Sequence, residues 1–190
     1  MSDQVIDITP LDRAVFTLQR NIRRSLTDLE LQYVEAEVVS AAKGVLEQAR
    51  SDLKHAVRTW NHKPRFYVYA KWGAKGGTFE IKVGGGPDAV RVWNFVDRGT
   101  KQHIITAKRK WLRIRLGMTA KTTPGTFESR QRSAPTSVIF RPRVSHPGYV
   151  GRDYRGQVRT KYTKALRREV TNAIRRAIRR ATSGLARGVK

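Results

Sequence analysis

The sequence predicts an α+β fold with a long N-terminal helix, a small antiparallel β-sheet or barrel carrying a long hairpin loop, and a basic amphipathic C-terminal helix. Apolar residues recur at three- and four-residue steps near both ends of the chain, which is typical of amphipathic helices. In the middle of the chain they alternate with polar residues, which indicates strands. We expect a single structural domain overall, composed of a helical segment at 1–60, a β segment at 61–156 and the C-terminal helix and tail at 157–190.

The N-terminal helix is predicted to begin at Thr9-Pro10, where a hydroxyl N-cap precedes a proline at the first helical position. A break near 25–28 divides the pattern, so the segment forms either one long helix or two consecutive helices that reach about Val57. The second half is rich in carboxylates and presents an acidic face. The apolar stripe contains Leu11, Val15, Leu18, Ile22, Leu26, Val34, Val38, Ala42, Val45 and Ala49.

Four stretches of the middle segment are predicted to be strands. Residues 65–72 and 78–83 alternate between apolar and polar side chains, and the glycines between them suit a hairpin. The turn GGGPD leads into a third strand at 90–96, and 112–116 forms the next strand. In that strand Leu112, Ile114 and Leu116 are expected to pack the sheet.

A last short strand is predicted at 138–144, at an edge of the sheet because Pro142 has no N–H to donate. The stretch before it, 117–137, has no regular period. A loop of that length inside a compact domain is usually functional or disordered. We interpret 117–137 as the extended tip of a hairpin that becomes ordered against another surface.

The C-terminal helix is predicted from an apolar stripe at four-residue steps, and Ser183-Gly184 is a suitable stop. Basic residues border the stripe. They are suited to holding phosphates without reading sequence, and the stripe is suited to packing on the sheet. The stripe is Tyr162, Leu166, Val170, Ile174 and Ile178, and the basic residues expected to face DNA or a partner are Arg168, Arg175, Arg176, Arg179 and Arg180.

The formal net charge is +24, and it is unevenly distributed: residues 1–60 carry a net −1 and residues 61–190 a net +25. Positive charge at this density repels itself unless a polyanion or an acidic partner lies nearby. Nucleic acid is the first partner to consider, and acidic neighbouring subunits are the alternative. The sequence contains no cysteine, no apolar run of transmembrane length and no signal-peptide pattern, so we expect no disulfide and no membrane partner.

Catalytic chemistry is poorly supported by the sequence. The six carboxylates of residues 61–190 lack the clustering that a metal-dependent nuclease needs to hold its ions. The four histidines stand far apart, and GGGPD lacks the Lys-Ser/Thr of a phosphate-binding loop. We therefore expect no enzyme activity, no metal and no cofactor, and we interpret His103 as a structural hydrogen-bonding residue.

Known nucleic-acid-binding modules also fit badly. The chain has neither a basic region joined to heptads nor zinc-finger spacing. Its strand aromatics either stack bases, as in proteins that bind single strands, or lie in a core or interface. These aromatics are Tyr67, Tyr69, Trp72, Trp93, Phe95 and Trp111.

Several short motifs occur in a fixed order: WNFVDRGT at 93–100, HIITAKRKWLRI at 103–114, RVSHPGYVGRDY at 143–154 and RTKYTKALRREV at 159–170. In this order they resemble the neck and tail-completion (head–tail joining) family of long-tailed bacteriophages. Its Gly-Thr element, His-x-Ile strand, His-Pro-Gly motif and terminal helix match in turn, with Ala107 where the family has proline. The residues to which the resemblance assigns structural roles are Gly99, Thr100, His103, His146, Pro147 and Gly148.

The resemblance implies a structural virion protein of the neck, at the head–tail interface, assembled in the host bacterial cytoplasm. Such a protein would form a homo-oligomeric ring, six- or twelve-fold, that joins portal, adaptor or head-closure proteins to the tail terminator or tail tube. The ring would surround packaged double-stranded DNA and contact it non-specifically. The alternative is a free non-specific nucleic-acid-binding protein associated with the nucleoid or the ribosome.

Two sets of charged residues follow from this interpretation. A cluster on and before the strand at 112–116 is expected to face either the DNA channel or an acidic neighbour. Glu35 and Glu37 on the acidic helix are expected at a subunit interface, against the basic sheet or terminal helix of the next subunit. The basic cluster is Lys108, Arg109, Lys110, Arg113 and Arg115.

Overall fold

The fold is taken from a computed structural model. It describes residues 4–9, 17, 20–22, 26–73, 76–117, 125–129 and 133–185. Two compact units are present, and the single-domain organisation stays a prediction. The helix–sheet unit comprises the described residues of Met1–Ser51, Phe66–Val83 and Val158–Lys190, and the ribbon unit those of Asp52–Arg65 and Gly84–Gln157.

The predicted α+β class is confirmed, and the described strands form small antiparallel sheets without a closed barrel. A three-stranded sheet has the order β1-β3-β2, with β1 at Gln4–Asp7, β2 at Arg65–Gly73 and β3 at Gly76–Gly84. The sequence prediction anticipated β2 and β3 but not β1, because β1 has only four residues. Its buried Ile6 lies opposite Ile81 of β3.

The chain after β1 continues the sheet pairing through Thr9. The Ile8 N–H donates to the Phe79 carbonyl (3.0 Å), and the Phe79 N–H donates to Thr9 Oγ1 (3.1 Å). Ile22 lies in a short helical stretch and is buried. The predicted helix start at Pro10, together with Leu11, Val15 and Leu18 of the stripe, lies outside the described residues.

Helix α1 spans Asp28–Ala56, close to the predicted end at Val57. It begins after the predicted break, since Leu26 and Thr27 are not helical. Thr27 and Glu30 form a capping box: the Thr27 N–H donates to Glu30 Oε2 (2.8 Å), and the Glu30 N–H donates to Thr27 Oγ1 (3.4 Å). The Thr27 N–H and the Thr27 hydroxyl both donate to Glu30 Oε2, and these two bonds lower the pKa of Glu30. The predicted stripe from Val34 to Ala49 is buried.

Helix α3 spans Tyr154–Leu185 and confirms the predicted C-terminal helix, which begins three residues earlier than expected. Its stripe is buried at Tyr162, Leu166, Val170 and Ile174. Within the helix–sheet unit α3 meets α1 through Arg180, which contacts Tyr33 and Glu37. Among the described helices, none combines the length and the apolar character needed to cross a membrane.

The predicted strand at 90–96 is wrong, because these residues belong to helix α2, Pro87–Arg98. Pro87 stands at the start of the helix, where its missing N–H costs nothing, so GGGPD is a helix N-terminus rather than a hairpin turn. The buried residues Ala89, Trp93 and Asp97 recur every four positions. The valine alternation at 90, 92 and 96 hid this period.

The rest of the ribbon unit is a two-stranded antiparallel ribbon built from three consecutive ladders, β4–β9, β5–β8 and β6–β7. The pairing of β6 with β7 confirms that the loop between them is the tip of a hairpin. The predicted single strand at 138–144 is wrong: it is two strands that separate at Pro142. The strands are β4 Gly99–Thr100, β5 His103–Thr106, β6 Leu112–Leu116, β7 Ser137–Arg141, β8 Arg143–His146 and β9 Tyr149–Val150.

The core of the ribbon unit is aromatic. Trp93 of α2 is fully buried, with its ring centroid 6.4 Å from Trp60 and 5.4 Å from Tyr154. Phe127, from the loop between β6 and β7, stacks on the other side of Tyr154 at 6.0 Å. Part of that long loop is therefore ordered by packing on its own unit.

Candidate nucleic-acid and assembly interface

The ribbon contains a large bulge that the register makes visible. Thr106 pairs with Arg143, whereas Leu112 pairs with Arg141. Residues 107–111 on one strand therefore face Pro142 alone on the other. Pro142 cannot donate to the ladder, and its carbonyl accepts from the Ala107 N–H at 2.9 Å. We call 107–111, with the sequence AKRKW, the KRKW bulge; bulges of this kind redirect side chains out of the ladder.

The ribbon is strongly basic. Residues 103–116 and 137–146 contain seven Lys or Arg and no Asp or Glu. Three of the predicted basic residues, Lys108, Arg109 and Lys110, lie on the KRKW bulge and are exposed. Arg113 and Arg115 lie on β6, exposed and opposite Phe140 and Val138 of β7. The structure thus brings all five predicted ribbon cations onto one element.

Exposed apolar side chains accompany these cations. Trp111 is 54% exposed and Phe140 is 58% exposed, and Ile104, Leu116 and Val138 are also exposed. The expectation that Leu116 packs a sheet is therefore wrong, while Leu112 and Ile114 are half-buried. A two-stranded ribbon is marginally stable in water by itself. The combination of exposed apolar and basic groups makes the ribbon the candidate binding surface.

The six aromatic residues that the sequence prediction placed on strands are partly buried and partly exposed. Trp72 and Trp93 are buried and belong to the cores of their units. Tyr67 and Tyr69 are exposed on β2, and Lys82 lies over the Tyr69 ring at 5.5 Å. Phe95 and Trp111 are exposed in the ribbon unit. Sequence spacing did not separate these cases, because the strand assignment around Trp93 was wrong.

The family-motif residues meet at the base of the ribbon. Gly99 pairs with Val150 and Thr100 with Tyr149, and His103 lies directly opposite His146. Gly148, which follows Pro147, has φ +81°, and a Cβ there would lie 2.3 Å from the Thr100 carbonyl oxygen. Residues that are nearly fifty positions apart in the sequence thus form one structural junction.

The two histidines of this junction are held by the backbone. Their ring centroids are 5.0 Å apart, and the rings are stacked. His103 Nδ1 lies 2.8 Å from the Lys101 carbonyl, so it carries the proton and donates; His146 Nδ1 accepts from the Gly148 N–H at 3.0 Å. The structural role expected for His103 stays a prediction.

A groove of about 700 Å³ lies beside this junction in the ribbon unit. Its described lining is mainly apolar, including Val92, Phe95 and Tyr149, and contains the two histidines but no carboxylate. In the part of the chain that the structure describes, no three His, Asp or Glu side chains come together as a metal site.

A buried ion pair joins Asp97 of α2 to Arg155 in the first turn of α3. Arg155 Nη1 lies 3.1 Å from Asp97 Oδ2, and the Arg155 N–H donates to Asp97 Oδ1 at 3.2 Å. Burial raises the pKa of Asp97, which the charge of Arg155 only partly opposes, and burial also lowers the pKa of Arg155. In the sequence Asp97 is visible only as part of the motif WNFVDRGT, because nothing there indicates that Arg155 is its partner.

The remaining predicted site residues lie in the helix–sheet unit. Glu37 pairs with Arg180 of its own chain at 3.2 Å, and Glu35 is half-buried on the same helix. Arg168 contacts the neighbouring Glu169 at 3.2 Å, and Arg175 and Arg176 are exposed. Arg179 is exposed as well. The subunit contacts expected of Glu35 and Glu37 stay a prediction.

Comparison with known proteins found no family model, no curated protein and no solved structure that matches this chain.

Proposed function

We propose that this protein is a structural subunit of a bacteriophage neck, part of a homo-oligomeric ring that joins the head connector to the tail around the DNA passage. The observation that supports the proposal is the ribbon, which presents exposed apolar and basic side chains together. The proposal assigns the protein no catalytic activity.

The ribbon suits an assembly protein for a physical reason. Its apolar side chains gain about 25 cal/mol for each Å² removed from water, and a neighbouring subunit or DNA can supply that cover. In a ring, each subunit presents one surface to the subunit before it and a different surface to the one after it. A projecting ribbon is suited to such a head-to-tail contact.

Electron microscopy of particles made with and without the gene tests the neck role. Without the protein we expect filled heads and separate or malformed tails, because the joint is missing. Restoring the gene in trans is the control and should return joined particles. Intact, joined particles in its absence would contradict the proposal.

The ribbon charge also favours a second candidate, a free non-specific nucleic-acid-binding protein. Each phosphate contact contributes about −0.9 to the slope of log affinity against log salt. If Arg113 and Arg115 contact phosphates, the double change Arg113→Ala and Arg115→Ala should make the slope less steep by about 1.8. Lys43→Ala with Lys54→Ala removes the same charge from exposed positions of α1 and should leave the slope unchanged.

The two functions differ in the state of the protein that binds. Tight, salt-sensitive binding by the isolated chain, with normal particles in its absence, would favour the free binder. An unchanged slope in the double arginine variant would instead assign Arg113 and Arg115 to protein contacts.

A further inference from the structure

The KRKW bulge carries exposed basic and aromatic side chains that the pairing of the ribbon does not need. Five residues replace one, which leaves Lys108, Arg109 and Lys110 exposed and consecutive. The residue that ends the bulge is Trp111, which is 54% exposed. A tryptophan that serves only to hold a fold is normally buried, as Trp60, Trp72 and Trp93 are here.

We infer that the KRKW bulge is a duplex-DNA contact, in which the three cations hold phosphates and the Trp111 indole packs into the groove between them. The choice of DNA as the nucleic acid rests on the proposed function. The assignment of a nucleic-acid contact to the bulge rests on its exposed cations and its exposed tryptophan. Proteins that bind single strands without reading sequence combine aromatic and basic groups in this way, and phosphate contacts by Lys and Arg supply sequence-independent binding to duplexes as well.

An acidic surface of a second copy is a weaker partner for these cations. The most acidic element of the chain is α1, and three of its six carboxylates make contacts within the chain. Glu37 pairs with Arg180, Glu47 pairs with Arg50 at 2.6 Å, and Glu30 caps the helix. These contacts would have to break before a second copy could offer the same carboxylates to a ribbon that carries seven cations and no acid.

The exposure of the bulge favours a duplex over a single strand. Proteins that bind single strands usually hold them in a positively charged groove, whereas the three cations and Trp111 of the bulge are exposed on a ribbon. The major groove of B-DNA is about 12 Å wide and admits a two-stranded β-ribbon. Apolar side chains inserted between base steps are a recurring device of proteins that bind duplexes with ribbons or arms.

Acrylamide quenching of tryptophan fluorescence tests the inference in the full-length protein. The other three tryptophans are at most 6% exposed, so acrylamide reaches mainly Trp111. A 20-base-pair duplex of random sequence should shield Trp111 and reduce the quenching several-fold. Trp111→Phe should abolish this signal and keep most of the affinity, whereas Trp111→Ala should weaken duplex binding by about tenfold, as stacking losses do.

The cations are tested separately. Changing Lys108, Arg109 and Lys110 together to alanine should make the salt slope of duplex binding less steep by about 2.7, because three phosphate contacts are lost. Changing Lys43, Lys54 and Lys63 together to alanine is the charge-matched control, because all three side chains are exposed and lie outside the ribbon. Far-UV circular dichroism should show unchanged folding in every variant, since all of these side chains are exposed.

Three outcomes would overturn the inference. Duplex binding that leaves Trp111 open to acrylamide would place the contact elsewhere. Stronger shielding by a single strand of equal charge would contradict the duplex assignment, and equal shielding by polyglutamate would indicate an acidic protein partner. If the duplex shields Trp111 but particles made without the protein are normal, the DNA contact is supported and the neck role is contradicted. If the duplex does not shield Trp111 but heads and tails fail to join without the protein, the neck role is supported and the DNA contact is contradicted.

Discussion

Gly99→Ala is expected to lower the free energy of unfolding by about 3 kcal/mol or more, the sum of backbone strain and overpacking. Gly99 has φ +81° and ψ −176°, a region that is open almost only to glycine. A Cβ there would lie 2.5 Å from the Tyr149 carbonyl oxygen and 2.6 Å from the Gly151 nitrogen. Both are backbone atoms, one in β9 and one in the residue that follows it, so relief would require separating β4 from β9.

Gly44→Ala provides the matched control for this change. Gly44 lies within α1, and a Cβ there would meet nothing within 4 Å. The same substitution should therefore stabilise the chain by about 1 kcal/mol, the helix-propensity difference between alanine and glycine. Urea unfolding followed by tryptophan fluorescence measures both. A loss at Gly99 no larger than about 0.5 kcal/mol would mean that the junction tolerates a side chain, contrary to this structure.

The Gly99 junction also shows what a sequence can and cannot reveal. The Gly-Thr and His-Pro-Gly motifs were visible as short strings, but their contact was not, because the pairing of β4 with β9 and of β5 with β8 joins distant parts of the chain. The resemblance gave the order of the motifs. Why glycine is needed at Gly99 and Gly148 became clear only from the backbone approach.

Local signals predicted the helices well. The periods of α1 and α3 extend over many turns. The Thr27–Glu30 capping box that starts α1 was overlooked in the sequence, where the helix start was predicted at Thr9-Pro10. Helix α2 was missed because it spans only twelve residues and its valines alternate, although the buried face follows Ala89, Trp93 and Asp97. The overlooked signal was Pro87-Asp88, since a proline at the first helical position followed by an acidic residue is typical of a helix start.

The candidate binding surface was predicted in composition but not in geometry. Lys108 to Lys110 were evident as a basic run, whereas the register shift that projects them depends on Pro142, about thirty residues later. Exposure of Trp111 and Phe140 could not be read from an alternating pattern. Such a pattern marks two faces of a strand and does not say which face is covered.

The second large effect is expected at the buried pair of Asp97 and Arg155. At neutral pH, Asp97→Asn removes the charge that faces Arg155 and leaves a guanidinium that is largely buried. Removing one partner of a buried pair typically costs about 3–5 kcal/mol. Burial of the Asp97 carboxylate offsets much of the charge attraction, as its raised pKa indicates, and Arg155 also reaches Asn94 Oδ1 at 3.2 Å. We therefore expect a smaller loss of about 1–3 kcal/mol, from the hydrogen bonds of Arg155 that the asparagine side chain cannot accept.

Two variants separate the pair from its surroundings. Arg155→Met removes the guanidinium and keeps an extended side chain, so the further loss caused by Asp97→Asn should mostly disappear in that background. Asp88→Asn makes the same chemical change in the first turn of α2, where Asp88 pairs with Arg91 at the surface. That variant should cost about 0.2–1 kcal/mol. Equal losses at Asp88 and Asp97 would show that burial contributes nothing to the effect.

The pH dependence of Asp97→Asn tests the balance between burial and charge. The folded-state pKa of Asp97 is raised above its ordinary value of 3.8, because burial outweighs the attraction of Arg155. Stability from the protonated carboxyl is therefore fully present below pH 3.8 and is lost as the pH rises through the raised pKa. The stability difference between the native chain and Asp97→Asn should grow as the pH falls from neutral toward 4. A difference that shrinks instead would mean that Arg155 dominates, since a lowered pKa gives the opposite sign. In that case the pair would stabilise the contact between α2 and the first turn of α3 by its charges; in the expected case burial of the charge costs stability and the hydrogen bonds from Arg155 to Asp97 provide the stabilisation.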